Sequence, residues 1–421
     1  MSAFDKIYGY EKEKKELLYI CDMMNNPEKY RNFGVEIPKA VLLHGAPGLG
    51  KTLMAKAMIE ESGRTSFACR KTRADGEFVD ILKKTFDDAI ENAPSIVFLD
   101  DMDKFAEDNL KSDSNKEEFV VIQSCLEDIK DKDVFVIATA NDICNLPSSL
   151  VRAGRFGRQL EFSVPPLDDS IKIIAHYLSG KKVAFDVDAE MIANILVGYS
   201  CAVLESVINE AGIYAAFESS EYITKDHIVR AILRVVLRTV ESEDLDEISM
   251  RKIAYHEAGH AGLAIHNKYK VGLVTIRQHG STGGICQSYG DERSGMTYEK
   301  FRRDVMEKLA GKAAVELHFG TVDMGATADI DDATDMVRRA IELRCIEGFE
   351  YGYDLSRYSD KQAFQRMDRI TDKVYSFIQD CYDNCVYILT RNSSLLDEIA
   401  VKLLEKRTLL HEDLKGCTAI D

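Results

Sequence analysis

Eight residues, Gly45-Ala-Pro-Gly-Leu-Gly-Lys51-Thr52, constrain the fold of this chain more than any other feature. They follow Ile37-Pro-Lys-Ala-Val-Leu-Leu-His44, a short apolar run of the kind buried as a strand. They lead into Leu53-Met-Ala-Lys-Ala-Met58, which continues as a helix. Two more buried-type strands are expected at Ser95-Ile-Val-Phe-Leu-Asp100 and Val134-Phe-Val-Ile-Ala-Thr-Ala140, separated by helical stretches such as residues 77 to 92. Strand and helix alternate, so the pattern predicts an α/β domain: a parallel sheet with helices on both faces.

The same eight residues match G-x-x-x-x-G-K-[S/T] in full. Glycines let successive backbone N–H groups turn inward on phosphate oxygens, so Pro47, Gly48, Leu49, Gly50, Lys51, Thr52 and Leu53 form a candidate nucleotide cradle. Lys51 is expected to reach the outer phosphates and Thr52 to ligate magnesium, with the helix N-terminus adding positive potential. About fifty residues on, Asp100 ends an apolar strand and suits a second carboxylate on the magnesium side. Asp101 is placed to polarise an attacking water, and Asn141, capping the strand after Ala138-Thr-Ala, to orient it. Arg152, Arg155 and Arg158 fall within seven residues. Such arginines serve surface ion pairs or complete a γ-phosphate site, where a guanidinium changes the rate by orders of magnitude.

Val164-Pro165-Pro166 breaks this pattern and closes a first domain at 1–166. Residues 167–238 lack strand signals. Val203, Val207, Ala211 and Ala215 recur at helical spacing, which predicts a small all-helical lid. An acidic linker at 239–248 contains Glu241-Ser-Glu-Asp-Leu-Asp-Glu247. Residues 249–421 read as mostly α-helical, interrupted by a Gly-rich stretch from Val271 to Gly295. There, Leu273-Val-Thr-Ile-Arg277 reads as a strand and a candidate exposed sheet edge.

A second chemistry lies in that last region. His256-Glu257-Ala-Gly-His260 puts two histidines four apart on one helix face, where both can bind one zinc while Glu257 faces the water the metal activates. Zinc needs a third protein ligand and an open fourth position. Candidates are Asp329, Asp331 and Asp332, which also suit the cap of a following helix; spacing does not choose among them. A chain holding both sites suggests nucleotide energy spent on a substrate to be hydrolysed, which points to a protein.

At 421 residues the chain is long enough for two to three domains. The formal charge of −17 argues against a nucleic-acid partner. No apolar run reaches the ~18 residues needed to cross a bilayer, and Met1-Ser-Ala-Phe-Asp-Lys6 is not a signal peptide. A soluble, cytoplasmic protein without membrane insertion of its own is expected, with tethering by a partner as the alternative. The ten cysteines form no C-x-x-C pair and read as reduced thiols, Cys381 and Cys385 sharing a helix face.

Residues 4 to about 238 resemble an AAA+ ATPase module, and the stretch from Ala138 to Gln159 is similar to that family's second region of homology. The resemblance implies ATP and Mg2+ as ligands, Asn141 as sensor 1, and Arg155 and Arg158 as fingers reaching a neighbouring subunit's nucleotide. It also implies a homo-oligomeric ring, usually of six. Tyr8-Gly9 resembles the segment that packs the adenine, and His176 sits where relatives place a histidine near the base. Tyr255-His-Glu-Ala-Gly-His260 and Gly325-Ala-x-x-Asp329 resemble the FtsH family of membrane AAA+ zinc proteases, in which the aspartate at that position is the third Zn2+ ligand. Glu316 falls in another matching segment, either beside the zinc ligands or on a helix surface.

The implied activity is ATP-dependent hydrolysis of protein or peptide substrates. Three departures bear on it. The ATPase module starts almost at Met1, where FtsH-like proteins carry transmembrane helices. Asp101 stands at the position of a catalytic glutamate, one methylene shorter, so slow hydrolysis is expected. Ala74, in Lys71-Thr-Arg-Ala-Asp-Gly-Glu-Phe78, stands where an aromatic residue grips substrate. The alternative is a nucleotide-gated remodelling or adaptor protein with a structural or vestigial zinc site.

Overall fold

The computed structural model describes residues 2–71, 78–105, 116–152, 154–238, 242, 245–280, 282–290, 295–322, 324–343, 345–346 and 360–419, with backbone alone at 116, 117 and 360–367. Ala74 lies outside the described residues. The chain forms two compact units, Met1–Ala231 and Ile232–Asp421.

The first unit opens with helices α1 (Glu11–Asn25) and α2 (Pro27–Arg31). Strand and helix then alternate: β1 (Ala40–His44), α3 (Lys51–Ser62), β2 (Thr65–Cys69), α4 (Phe78–Glu91), β3 (Ser95–Leu99), α5 (Lys116–Asp128), β4 (Val134–Ala140) and β5 (Arg158–Glu161). The strands pair in the order β2-β3-β4-β1-β5, all parallel. Strands β1, β3 and β4 are the three apolar runs of the sequence, and each is buried almost throughout because helices cover both faces. Phe78, Leu82, Phe86 and Ala89 bury one stripe of α4 in this core. The two strands that gave no sequence signal, β2 and β5, are the sheet's ends. Arg158-Gln-Leu-Glu161 alternates half-buried and exposed, so only one of its faces needs apolar side chains. Helices α6 (Leu167–Leu178), α7 (Ala189–Ile195), α8 (Cys201–Phe217) and α9 (Lys225–Leu237) follow. Leu204, Val207, Ile208, Ala211 and Ala215 form the buried stripe of α8.

The second unit begins at Ile232, within α9, and its next helix is α10 (Glu247–His266). The acidic run does not stay a linker to its end. Asp246 caps α10, its carboxylate accepting from Ser249 N–H at 3.1 Å. Then come β6 (Lys270–Thr275), β7 (Ile285–Tyr289), α11 (Tyr298–Phe319), α12 (Thr327–Glu342), α13 (Asp360–Arg391), α14 (Ser393–Lys406) and β8 (Thr408–Leu410).

The stretch Leu273–Arg277 is not the exposed sheet edge that the sequence predicts. Strand β6 is the middle strand of an antiparallel sheet ordered β7-β6-β8. Its continuous apolar run reflects burial on both faces. The pairing strand β8 lies so far along the sequence that no local pattern announces it. Strand β7 is at one end of that order. Cys381 and Cys385 are both fully buried on one face of α13. No described helix is long and apolar enough to cross a membrane.

Helices α10 and α11 approach closely at Gly259. A Cβ there would lie 2.4 Å from Ala310 O and 2.7 Å from Ala314 Cβ. A methyl group cannot enter without pushing the two backbones apart. Gly259→Ala is therefore expected to cost about 1–3 kcal/mol of stability, the usual penalty of overpacking, despite alanine's better helix propensity. Thermal unfolding of the variant checks this.

Candidate functional site

The glycine turn after β1 builds the first site. Gly45, Gly48 and Gly50 have φ of 139°, 79° and 87°, the left-handed side that other residues resist. A Cβ on Gly45 would also fall 2.0 Å from Phe162 O. These turns wrap the loop around Lys51 Nζ, which donates to Gly45 O at 2.6 Å, Ala46 O at 2.8 Å and Asn141 Oδ1 at 3.1 Å. Burial lowers the Lys51 pKa against the pull of Asp103, Asp101 and Asp100.

Behind the loop, Thr52 Oγ1 and Thr139 Oγ1 both donate to Asp100 Oδ1, at 3.0 and 2.8 Å. Thr139 in turn accepts from Asp101 N–H at 2.9 Å. Hydroxyl and carboxylate are thus side by side, the kind of oxygen donors that could hold a magnesium ion. Asp101 has φ 57° and turns out of the strand. Its Oδ2 accepts from Lys104 Nζ at 2.7 Å and Arg70 Nη2 at 2.9 Å. Burial raises the Asp101 pKa, but Lys104 and Arg70 outweigh it and the net shift is downward. Asp103 Oδ2 accepts from Asn141 N–H at 3.2 Å.

A cavity of about 650 Å³ opens beside this loop. Tyr8, Pro47, Gly48, Leu49, Gly50, Lys51, Thr52, Leu53, Asp101, Asn141 and His176 all line it. At its far end the Tyr8 and His176 rings stack with centroids 4.2 Å apart. Gly9, φ 73°, turns the chain against Asp169, which accepts from Tyr10 N–H at 2.9 Å. Arg155 and Arg158 do not line this cavity. Arg155 Nη1 donates to Ser149 O at 2.9 Å, and Arg158 sits in β5, 3.7 Å from Glu16. Lys51→Ala removes the only lysine of the turn and is expected to weaken nucleotide binding by at least about tenfold, the loss of one charge-assisted contact; calorimetric titration with nucleotide checks it.

The second site forms where α10, α11 and α12 meet. His256 Nε2 and His260 Nε2 are 3.1 Å apart. Asp329 Oδ2, from the first turn of α12, is 3.2 Å from the former and 3.6 Å from the latter. The three ligand atoms lie within 4.8 Å of one another. Burial works against the Asp329 carboxylate, but hydrogen bonds to His256 and His260 dominate and hold its pKa well below the usual range. His260 Nδ1 lies 2.7 Å from Glu307 O; a carbonyl only accepts, so the proton is on Nδ1 and Nε2 is left for a metal. Asp331 and Asp332 stay out of this group, Asp332 pairing with Lys308 at 2.9 Å.

Glu257 is buried beside the ligands. Burial pushes its carboxyl up, opposed by His260 and His256. Glu316 engages Lys312 and the Tyr382 hydroxyl. Gly311 on α11 was not singled out from the sequence, because Leu-Ala-Gly-Lys-Ala-Ala reads as ordinary helix packing. A Cβ there would fall 2.4 Å from His256 Cε1, 2.5 Å from His256 Nε2 and 2.6 Å from His260 Nε2. Thr139, Asp103, Arg70 and Lys104 were likewise missed. Asp103 alone had a local signal, as the third acid of Asp100-Asp-Met-Asp103.

Residues 41–164 match the ATPase family associated with various cellular activities (AAA), and residues 244–417 match peptidase family M41. The chain is 30% identical over 436 residues to ATP-dependent zinc metalloprotease FtsH 2 of Phytoplasma mali, covering 98% of this chain and 62% of that protein. It is 32% identical over 435 residues to ATP-dependent zinc metalloprotease FtsH of Aster yellows witches'-broom phytoplasma, covering 99% and 64%. To the FtsH of Mesoplasma florum it is 30% identical over 442 residues, covering 98% and 67%. It thus spans a little under two thirds of the first two relatives. With an AAA match and an M41 match in one polypeptide and this identity along nearly its whole length, the chain belongs to the FtsH family of ATP-dependent zinc metalloproteases.

Proposed function

We propose that this chain is an ATP-dependent zinc metalloendopeptidase that works as a homo-oligomeric ring, of six subunits, on protein substrates. The observation that carries the reading is the convergence of His256, His260 and Asp329 around one point, beside a buried Glu257. Two imidazole nitrogens and one carboxylate are the donor set of a catalytic zinc with an open fourth position. Zinc held there supplies a Lewis acid for a scissile carbonyl and acidifies nearby water. Glu257 accepts the proton of the attacking water and passes it to the departing amide nitrogen. Its burial keeps it close to that task, since a desolvated carboxyl is a stronger base.

In the nucleotide site, Lys51 faces the outer phosphates while Thr52 and Asp100 hold magnesium. Asp101 and Asn141 place the water. Arg155 and Arg158, which lie within the segment that matches the AAA family, act on a neighbour's nucleotide. Tyr8, Gly9 and His176 take the adenine end. Hydrolysis moves the ring and feeds an unfolded polypeptide to the peptidase centre, where strand β7, the end strand of its sheet among the described residues, aligns an extended segment. The ring is read as soluble and cytoplasmic, and fractionation of native cells tests that.

ATP turnover is expected to be slow but measurable, because the Asp101 carboxylate is short and shared with Arg70 and Lys104. A turnover rate equal to the buffer blank, with zinc and assembly intact, would contradict the ATPase half. Peptide cleavage that survives a chelator would contradict the peptidase half.

A further inference from the structure

One face of α11 carries three residues that meet the metal centre and the strand beside it. Asp304, Glu307 and Gly311 follow at spacings of three and four, so they form a single stripe. Gly311 leaves room for both imidazoles. Asp304 Oδ1 accepts from the Tyr269 hydroxyl at 2.8 Å. The Tyr269 ring in turn lies against Gly290, where a Cβ would come within 2.9 Å of Tyr269 Cε1, just past the end of β7. Glu307 makes two contacts. Its main-chain carbonyl takes the His260 Nδ1 proton, and its carboxyl oxygen accepts from the Ser288 hydroxyl in β7. Ser288 pairs with Val271, next to the point where the β6–β7 register shifts. The ladder is interrupted there, so a side-chain tie to α11 adds what the backbone pairing lacks.

We propose that Glu307 is a positioning residue of the peptidase site: through Ser288 it fixes the height and register of β7 relative to His260. A peptide laid along β7 and the zinc ligands then share one rigid frame. The inference rests on the peptidase reading above and deepens it. Glu307 touches no reacting atom. Its effect is geometric, and misplacement of a bound peptide by about 1 Å costs on the order of 100-fold.

The test uses the full chain, zinc-loaded, with an unfolded casein substrate and ATP. Glu307→Ala keeps the main-chain carbonyl on His260, so zinc content and ATP turnover should stay at the level of the unsubstituted chain. Its kcat/KM for cleavage should fall about 10–100-fold, up to the cost of misplacing a bound peptide by about 1 Å. Glu307→Gln retains an acceptor oxygen and should recover most of the loss. Ser288→Ala should match Glu307→Ala, and the double variant should be no worse than either, because both remove one tie. Unchanged cleavage by Glu307→Ala, or losses that add in the double variant, would overturn the inference. So would loss of zinc from Glu307→Ala. No cleavage by the unsubstituted chain would remove the peptidase reading and this inference with it. Cleavage by that chain with an unaffected Glu307→Ala removes the inference alone.

Discussion

Replacing Glu257 by glutamine is expected to cut peptide hydrolysis by about 10²–10⁴-fold, the worth of a positioned general base. The exchange keeps the shape of the side chain and removes only its basicity. Glu257 is buried in α10 between the two imidazole ligands in sequence, so an isosteric amide should leave helix and metal in place. The nucleotide site draws its residues from the first unit, and ATP turnover should stay near the unsubstituted rate. Parallel assays of peptide cleavage, zinc content and ATP turnover check the three expectations together. Equal peptidase activity in the variant would leave Glu257 without its assigned role.

Gly311→Ala should be nearly as damaging, by another route. The added methyl would occupy space within 2.6 Å of three ring atoms of His256 and His260. The imidazoles must swing away, and each departure pulls an Nε2 from the point shared with Asp329. Zinc affinity should fall by about 100-fold or more, at least the loss seen when the supporting partners of a metal site are removed. Alanine is the better helix former by about 1 kcal/mol, so helical content should hold or rise while metal is lost. Metal analysis after dialysis, alongside circular dichroism, reads both. A variant that retains a full zinc complement would mean that the ligands have slack which the close contacts deny.

Much of this architecture was legible in the chain because local pattern and tertiary demand agree. The strands β1, β3 and β4 are apolar without interruption because helices cover both faces, and a sheet buried that way must read so. The phosphate turn and the two histidines on α10 are equally local, each fixed by a few residues in one element. What stayed hidden depends on distant partners. Strands β2 and β5 are short sheet ends with mixed faces. Strand β6 reads as an edge until β8 arrives from the far end of the unit to pair with it. Asp329 could not be chosen over Asp331 or Asp332 by spacing, since the choice depends on how the first turn of α12 is presented to α10. Gly311 and Glu307 gave no signal at all. The role of Gly311 lies in the space it leaves, and that of Glu307 in a carboxyl tie to Ser288 on a distant strand, which no local pattern announces.

On the proposed function, nucleotide turnover and zinc hydrolysis in one polypeptide serve one reaction. Degradation of unfolded casein by the purified full chain, followed with ATP, with ADP and with ATP plus a zinc chelator, tests it most directly. Casein should disappear with ATP alone, persist with ADP, and persist with ATP once the metal is removed. Equal degradation with ADP and ATP, or no degradation under any condition while zinc and nucleotide are both bound, would contradict it.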